Sequence, residues 1–144
     1  MGVREVSIRV GVKQFSLTFE GGQVAPYHII ERRGKFVSSL WLGMASLKWV
    51  FLTWSTLCKS LDLKGFLIFL RTNYNTLELS CLQNQYGRFV ELLEYHGGVQ
   101  RGGIRVLEGY RGTGWKRFAK RIESFFFWER KCRRRAWLET TVTS

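Results

Sequence analysis

The sequence predicts an α+β fold made of two ββββα repeats, in which antiparallel sheets have one face covered by helices and the other face open. Three observations support this prediction. Apolar and polar residues alternate over several short segments, which is the period of a half-buried strand. Glycine-rich turns separate these segments, and each half of the chain ends in a segment whose apolar residues recur at helical spacing.

Four strands are predicted in the first half of the chain. Residues 5–10 form the first, and in the second Phe15, Leu17 and Phe19 alternate with polar residues. Residues 27–33 and 36–42 are predicted to pair as a hairpin. Beyond this hairpin, apolar residues at helical spacing predict a helix, namely Leu47, Val50, Phe51, Trp54, Leu57, Cys58 and Leu61.

The second half of the chain has the same layout. Strands are predicted at residues 66–70, 77–81, 88–95 and 104–108, and residues 96–103 are predicted to form a long turn. The segment 109–114, GYRGTG, is expected to lead into a helix, with Thr113 as its cap. The helix itself is indicated by Trp115, Phe118, Ala119, Ile122, Phe125 and Phe126.

An ungapped alignment of residues 14–31 with residues 76–93 supports the internal repeat. It matches Phe15 with Leu77, Leu17 with Leu79, Phe19 with Cys81, Tyr27 with Phe89 and Ile30 with Leu92, and a later segment matches Leu40 with Val106, Gly43 with Gly109 and Trp49 with Trp115. We therefore expect one domain over residues 1–138, with repeat I at 3–62, repeat II at 63–128 and a basic C-terminal extension at 129–144.

Charge favours a polyanionic partner. The chain of 144 residues has 23 Lys and Arg against 11 Asp and Glu, a formal net charge of +12, and nucleic acid suits this excess better than an anionic membrane does. Residues 40–58 approach the length of a membrane span, but Gly43 and Lys48 interrupt them, so an amphipathic helix is expected and no membrane partner.

Residues for catalysis or metal binding are scarce. Cys58, Cys81 and Cys132 are widely spaced, which favours neither a disulfide framework nor a zinc site. The two histidines, His28 and His96, have no evident catalytic partner in the sequence. The expectation is a protein that is not an enzyme, with no metal, cofactor or small-molecule substrate.

The open sheet face is the expected binding surface. If Val90 and Leu92 point to the core, Phe89 points to the open face, near Arg105 on the next strand. In the first repeat, Tyr27 and Trp41 are expected in the equivalent positions. Exposed rings beside cations suit single strands, whose unpaired bases stack on aromatic side chains. The alternative is that such rings pack across strands or form a protein interface.

The segment 74–95, YNTLELSCLQNQYGRFVELLEY, together with the glycine-rich turn, IRVLEG and helix that follow, resembles the repeat of the PUR proteins. These proteins bind single-stranded DNA and RNA, and their ββββα repeats pair into one domain; the layout is also similar to the wider PC4 and Whirly group. The resemblance implies that Gly87 permits the turn, that Arg88 anchors it, and that Phe89 wedges between bases.

The chain departs from the family pattern in two places. The family usually has basic residues where this chain has Leu82 and Tyr86. In the first repeat, Ala25 and Pro26 replace the Gly-Arg pair. The second repeat is therefore expected to bind nucleic acid more strongly than the first.

The function predicted is that of a nuclear regulator of transcription or RNA that binds single-stranded DNA or RNA. The alternative is a protein-interaction or homodimerisation module that keeps the fold without binding nucleic acid. The basic extension is interpreted as a phosphate-contacting tail, a nuclear localisation patch or a solvated end. The residues expected to contact nucleic acid are Gln83, Asn84, Tyr86, Arg88, Phe89, Tyr27, Trp41, Arg105, Arg101, Arg32, Arg33 and Lys35.

Overall fold

The computed structural model describes residues 5–59 and 66–125, which form two antiparallel four-stranded sheets and two helices. This confirms the α+β fold of two ββββα units. The strand order in each sheet follows the chain. Sheet A contains β1 (Glu5–Val10), β2 (Lys13–Phe19), β3 (Tyr27–Arg33) and β4 (Phe36–Leu42), and sheet B contains β5 (Leu67–Arg71), β6 (Thr76–Asn84), β7 (Gly87–His96) and β8 (Val99–Leu107).

Helix α1 (Met44–Lys59) follows sheet A, and helix α2, described over residues 113–125, follows sheet B and a short 3₁₀ turn (Tyr110–Gly112). Within the described ranges, neither helix is long and apolar enough to cross a membrane. The predicted extension at 129–144 lies outside the described residues, as do Leu61 and Phe126 of the predicted helices and the ends of both predicted repeats.

The main difference in strand length is in β8, which begins at Val99 rather than at residue 104. Gly97 and Gly98 make a two-residue hairpin turn because both have a positive φ, 57° and 81°, as the tight turns of twisted hairpins require. The prediction of a long turn over residues 96–103 was therefore wrong. A register shift between Glu94 and Tyr95 accommodates the extra length of this hairpin.

The helices and the inner faces of both sheets enclose one hydrophobic core. Helix α2 packs on the sheet of the other repeat, since the Phe118 ring meets that of Phe15 at 5.2 Å and the Phe125 ring meets that of Tyr27 at 6.0 Å. Phe118 also contacts Trp54 of α1, with ring centroids 4.7 Å apart. Each large side chain buried in this way contributes about 1.5–3 kcal/mol, so the packing of α2 on sheet A ties the repeats together.

The two repeats correspond through a slipped alignment. In sheet A, Phe19 pairs with Tyr27, and in sheet B its counterpart Cys81 pairs with Val90. Seven residues separate the first pair and eight the second, so the segment between these equivalent positions is one residue longer in repeat II. Tyr27 therefore corresponds to Val90, and the predicted match with Phe89 was wrong.

The slip continues through the rest of the repeat. Ile29 pairs with Leu40, and Leu92 pairs with Ile104, so Leu40 corresponds to Ile104 and not to Val106. In the helices, the buried positions Leu47, Val50, Trp54 and Leu57 have the same spacing as Trp115, Phe118, Ile122 and Phe125, which matches Trp115 with Leu47 rather than with Trp49.

The outer strands β4 and β8 meet where the two sheets join. The Glu94 carboxylate accepts a hydrogen bond from the Trp41 backbone N–H (3.3 Å), and the Glu31 carboxylate accepts one from the Arg105 backbone N–H (2.7 Å). The slipped alignment makes these two contacts equivalent, because Glu31 corresponds to Glu94 and Trp41 to Arg105. Each repeat thus satisfies a free edge N–H of the other with a carboxylate.

Candidate nucleic-acid interface

A cleft of about 590 Å³ lies where the β2–β4 end of sheet A meets the open face of sheet B. We call it the junction cleft. Its lining includes Lys13, Arg33 and Phe36 from repeat I and Leu93, Gln100 and Arg105 from repeat II, together with the Glu31 and Glu91 carboxylates. Both repeats are therefore needed to form it.

Ion pairs position two of the cations in the junction cleft. The Lys13 Nζ lies 3.2 Å from the Glu31 carboxylate and also donates a hydrogen bond to the Arg105 carbonyl oxygen (3.0 Å). The Arg105 guanidinium pairs with Glu91. Arg33 forms no ion pair with another described residue, so its charge is open to a ligand.

Phe36 provides an open ring at the rim of the junction cleft. It is the first residue of β4, and 81% of its surface is exposed. An aromatic ring on the surface beside Arg33 matches the pattern by which proteins stack an unpaired base and hold its phosphate. Phe36 was not among the predicted contacts, although its position directly after Arg33 and Lys35 was a usable signal.

Phe89 occupies the open face of sheet B, as expected, but its ring is covered. It pairs with Leu82 and Leu107 across the neighbouring strands, and only 8% of its surface is exposed. The Arg105 guanidinium lies 5.6 Å from the centre of the ring, a cation–π distance. The expectation of a free stacking ring at Phe89 was wrong, because the Arg105 guanidinium lies over the ring and Leu82 and Leu107 flank it.

The turn before Phe89 has the predicted form. Gly87 has a φ of 118°, which favours glycine, and the Asn84 side-chain oxygen accepts a hydrogen bond from the Tyr86 N–H (2.8 Å). Gln83 is exposed, and the Tyr86 ring is 73% exposed. Tyr86 is thus the accessible ring of this turn.

Arg88 points back to the protein. Its guanidinium pairs with the Glu108 carboxylate and lies 5.3 Å from the centre of the Trp115 ring. These contacts fix the start of β7 to the loop that precedes α2. Because its charge is already matched, we no longer expect Arg88 to be a principal phosphate contact.

Tyr27 lies in the core. It is 1% exposed, and its ring contacts Phe19 at 5.3 Å and Phe125 at 6.0 Å. The expectation that Tyr27 faces the open side of sheet A was wrong because the segment between the equivalent paired positions is one residue shorter in repeat I. This shifts β3 by one residue relative to the ungapped alignment, and a shift of one residue exchanges the two faces of a strand.

Trp41 does lie on the open face of sheet A, but away from the junction cleft. Its ring stacks on His28, with centroids 3.8 Å apart and planes within 3°. In repeat II the equivalent pair is Arg105 with Glu91, so an aromatic stack in one repeat stands where an ion pair stands in the other. Trp41 faces a recess shared with Glu20 and Tyr74 rather than with arginines.

The remaining predicted cations divide into two groups. Arg33 and Arg105 line the junction cleft; Lys35 follows in the β3–β4 turn, and exposed Arg101 is next to Gln100 of the lining. Arg32 points to the opposite face of β3, where it donates a hydrogen bond to the Ser16 hydroxyl (3.3 Å). The structure thus brings a subset of the predicted cations to one surface.

A row of apolar side chains was also missed. On the open face of sheet B, Leu67 and Phe69 of the edge strand β5 and Leu82 of β6 are exposed, Phe69 to 54%. The segment 66–70 is apolar throughout, so its pattern alone did not distinguish the buried from the exposed side.

The two histidines contact neighbouring side chains of the fold. His96 Nε2 lies 2.8 Å from the Glu94 carboxylate, which also accepts a hydrogen bond from the Asn75 amide (2.8 Å). His28 is stacked on Trp41, and its Nε2 is buried without a hydrogen-bond partner among the described residues. Neither environment presents a general base to an open cavity.

Stability is expected to fall with acidity because of His28. Burial lowers the pKa of His28 from its ordinary value of 6.5; Arg32 also lowers it, while Glu20 and Glu94 act in the opposite direction. The unfolded chain therefore takes up this proton at a higher pH than the folded protein, and stability present above pH 6.5 is lost as the pH falls below it. His28→Phe, which keeps a ring on Trp41, should flatten the pH dependence of the urea midpoint. An unchanged pH profile would contradict this assignment.

Cysteines and acidic groups offer no alternative site in the described part of the chain. No three His, Cys, Asp or Glu side chains within residues 5–59 and 66–125 are grouped to hold a metal ion. Burial raises the pKa of the Cys58 and Cys81 thiols, so both are protonated at neutral pH. Cys132 lies outside the described residues.

The Thr113 hydroxyl donates a hydrogen bond to the Tyr110 carbonyl oxygen (2.8 Å), a different contact from the predicted helix cap.

Comparison of the chain with protein-family models gives no match, and comparison with curated proteins gives none either.

Proposed function

We propose that the protein binds single-stranded DNA or RNA at the junction cleft and the adjoining open face of sheet B, and regulates transcription or RNA in the nucleus without catalysis. The observation that carries this proposal is the exposed Phe36 ring beside Arg33, whose charge has no ion-pair partner among the described residues, at a cleft built from both repeats. The resemblance to the PUR repeat and the net charge of +12 agree with it.

The chemistry of the junction cleft suits an unpaired strand. A base stacks on Phe36, while Arg33 and the exposed Lys35 and Arg101 meet the phosphates. Gln100 adds an amide that can donate to or accept from a base edge. In a duplex the bases are already stacked on each other, so the ring would contribute little.

The strand is proposed to continue over sheet B towards Tyr86. Arg105 lies between the two ends of this path, since it lines the junction cleft and also covers Phe89. The exposed Tyr86 ring, with Gln83 and Asn84 in the same turn, offers a second stacking position. This assignment keeps the predicted turn in the interface but replaces Phe89 by Tyr86 as its ring.

Phe36→Ala is expected to weaken binding to a labelled single-stranded oligonucleotide by about 1–3 kcal/mol, the usual contribution of one stacked base. The change removes an exposed ring, so the thermal midpoint should stay the same. Tyr74→Ala is the matched control, because it removes an exposed ring that lines the Trp41 recess instead of the junction cleft. Equal losses in the two variants, or none in Phe36→Ala, would contradict the proposal.

Salt and strand state provide an independent measurement. Single-strand affinity should fall with salt with a log–log slope of about −0.7 per phosphate neutralised. A duplex of the same length should bind more weakly than the single strand. If the single strand and the duplex bind with equal affinity, and Phe36→Ala binds as the unmodified protein does, the interaction is only general charge attraction and the proposal is wrong.

A second candidate function is homodimerisation, and the exposed row of Leu67, Phe69 and Leu82 favours it. β5 is also the edge strand of sheet B, and no other strand of the described residues pairs with its outer side. Phe69→Glu would place a charge in this row and should convert a dimer to a monomer in sedimentation velocity. A protein that sediments as a monomer before the change excludes this candidate.

A further inference from the structure

A cluster of positive charge without ion-pair partners among residues 5–59 and 66–125 lies away from the junction cleft, in a recess between β1 and α2. It has a volume of about 320 Å³ and is lined by Ser7, Ile8, Arg9, Arg117, Lys120, Arg121 and Ser124. We call it the helix recess. No carboxylate is among these lining residues.

Helical geometry explains why so many cations meet there. Residues 117, 120, 121 and 124 are spaced by three and four, so they share one face of α2. The side chain of Arg9 joins them from β1, where it points away from the core neighbours Ile8 and Val10. Packing of α2 on sheet A therefore brings an arginine of the first strand to a basic helix face.

This arrangement has an electrostatic cost in the absence of an anion. Like charges three or four residues apart on a helix repel each other, and Arg9 adds a further charge from across the recess. None of Arg9, Arg117, Lys120 and Arg121 forms an ion pair with another residue of the described ranges. An anion of matching charge density would relieve that repulsion.

The lining also indicates the kind of anion. No aromatic ring is among the described residues that line the helix recess, so these residues offer no position for base stacking. Guanidinium and ammonium groups, with the hydroxyls of Ser7 and Ser124, are the donors that bind phosphate oxygens. A small recess with clustered cations matches clustered phosphates better than the spaced phosphates of an extended strand.

We propose that the helix recess binds a ligand with several adjacent phosphate groups, a free polyphosphate or a polyphosphorylated headgroup, at a site separate from the junction cleft. The cations act together on one ligand, which distinguishes the site from the general positive field of the protein. This proposal does not depend on nucleic-acid binding.

The test compares two double variants that each remove two positive charges. Arg117→Gln with Lys120→Gln alters the helix recess, and Lys48→Gln with Lys59→Gln removes exposed charges from α1. Binding of tripolyphosphate is measured by calorimetry at an ionic strength of about 0.15 M, where distant surface charges are screened. The recess variant should bind at least about tenfold more weakly, because bonds between charged partners are lost, and the α1 variant should match the unmodified protein. Equal weakening in both variants, or no binding by the unmodified protein, would overturn the proposal.

Two further arms separate the ligand sources and the two sites. Inositol hexakisphosphate tests a free ligand, and vesicles that contain a phosphatidylinositol bisphosphate test a lipid headgroup. The proposal is supported if the unmodified protein binds either probe and the recess variant does not. Phe36→Ala should leave tripolyphosphate binding intact, whereas the recess variant should keep its Phe36-dependent oligonucleotide binding. If the recess variant instead loses oligonucleotide affinity and the unmodified protein does not bind tripolyphosphate, the helix recess belongs to the nucleic-acid interface and the proposal fails.

Discussion

Gly102→Ala is expected to lower the free energy of unfolding by about 3 kcal/mol or more, at the upper end of the range for overpacked sites. Gly102 lies on β8 where this strand crosses β4. A Cβ atom at this position would lie only 1.9 Å from the Ser39 carbonyl oxygen and 3.1 Å from its carbonyl carbon. These are backbone atoms of the other repeat, so no side-chain rotation can relieve the clash and the two sheets must move apart.

The consequence extends to the junction cleft. Separation of β4 from β8 would disturb the hydrogen bonds that Glu31 and Glu94 accept across the repeats, and with them the position of Arg105. Urea unfolding of Gly102→Ala and of Gly21→Ala provides the comparison, since a Cβ at Gly21 would meet the Phe19 ring at an ordinary 3.6 Å. A Gly102→Ala protein as stable as Gly21→Ala would mean that β4 and β8 do not cross closely in solution.

The strands of the first repeat were predictable because their residues carry an unambiguous period. Phe15 and Leu17 are buried on one face of β2, and the observed bounds of β3 and β4 agree with the prediction from residues 27–33 and 36–42. The second repeat was predictable in outline for the same reason. Alternation and glycine turns are local properties, and local properties can be read from one sequence.

The register between the repeats was not predictable from pattern alone. The segment between the equivalent pairs Phe19–Tyr27 and Cys81–Val90 is one residue longer in repeat II, which exchanges the two faces of β3 relative to the ungapped alignment. Tyr27 therefore lies in the core and not on the expected open face. At the start of β3, both Tyr27 and His28 are plausible core residues by size and polarity. Tertiary contacts decide between them, among them the contact of Tyr27 with Phe125 of α2, nearly a hundred residues later.

The candidate site was predictable by residue type more than by position. Arg33 and Arg105 were expected to contact nucleic acid, and they do line one cleft. The burial of Phe89 was not foreseeable, because it depends on the Arg105 guanidinium above its ring and on Leu82 and Leu107 beside it. Phe36 was missed because the surface it shares with repeat II exists only after the two sheets join.

Phe89→Ala is expected to destabilise the fold by about 3 kcal/mol, the lower part of the range for a buried phenylalanine. The ring lies almost fully covered on sheet B, so its removal leaves a cavity between Leu82 and Leu107. Arg105 would also lose the ring beneath its guanidinium. Its ion pair with Glu91 remains, so we expect the folded variant to bind single strands with a smaller loss than Phe36→Ala.

Leu79→Ala and Leu82→Ala serve as references for the stability loss of Phe89→Ala, one at a buried and one at an exposed position. Leu79 is fully buried and should cost about 2–5 kcal/mol of stability when truncated, whereas Leu82 is exposed on the same sheet and should cost much less. Urea midpoints of the three variants, with oligonucleotide affinities at temperatures where each is folded, distinguish packing from stacking. If Phe89→Ala is as stable as Leu82→Ala and loses more affinity than Phe36→Ala, the Phe89 ring must leave its place under Arg105 to stack on a base, and the wedge role implied by the PUR resemblance would replace the assignment to Phe36.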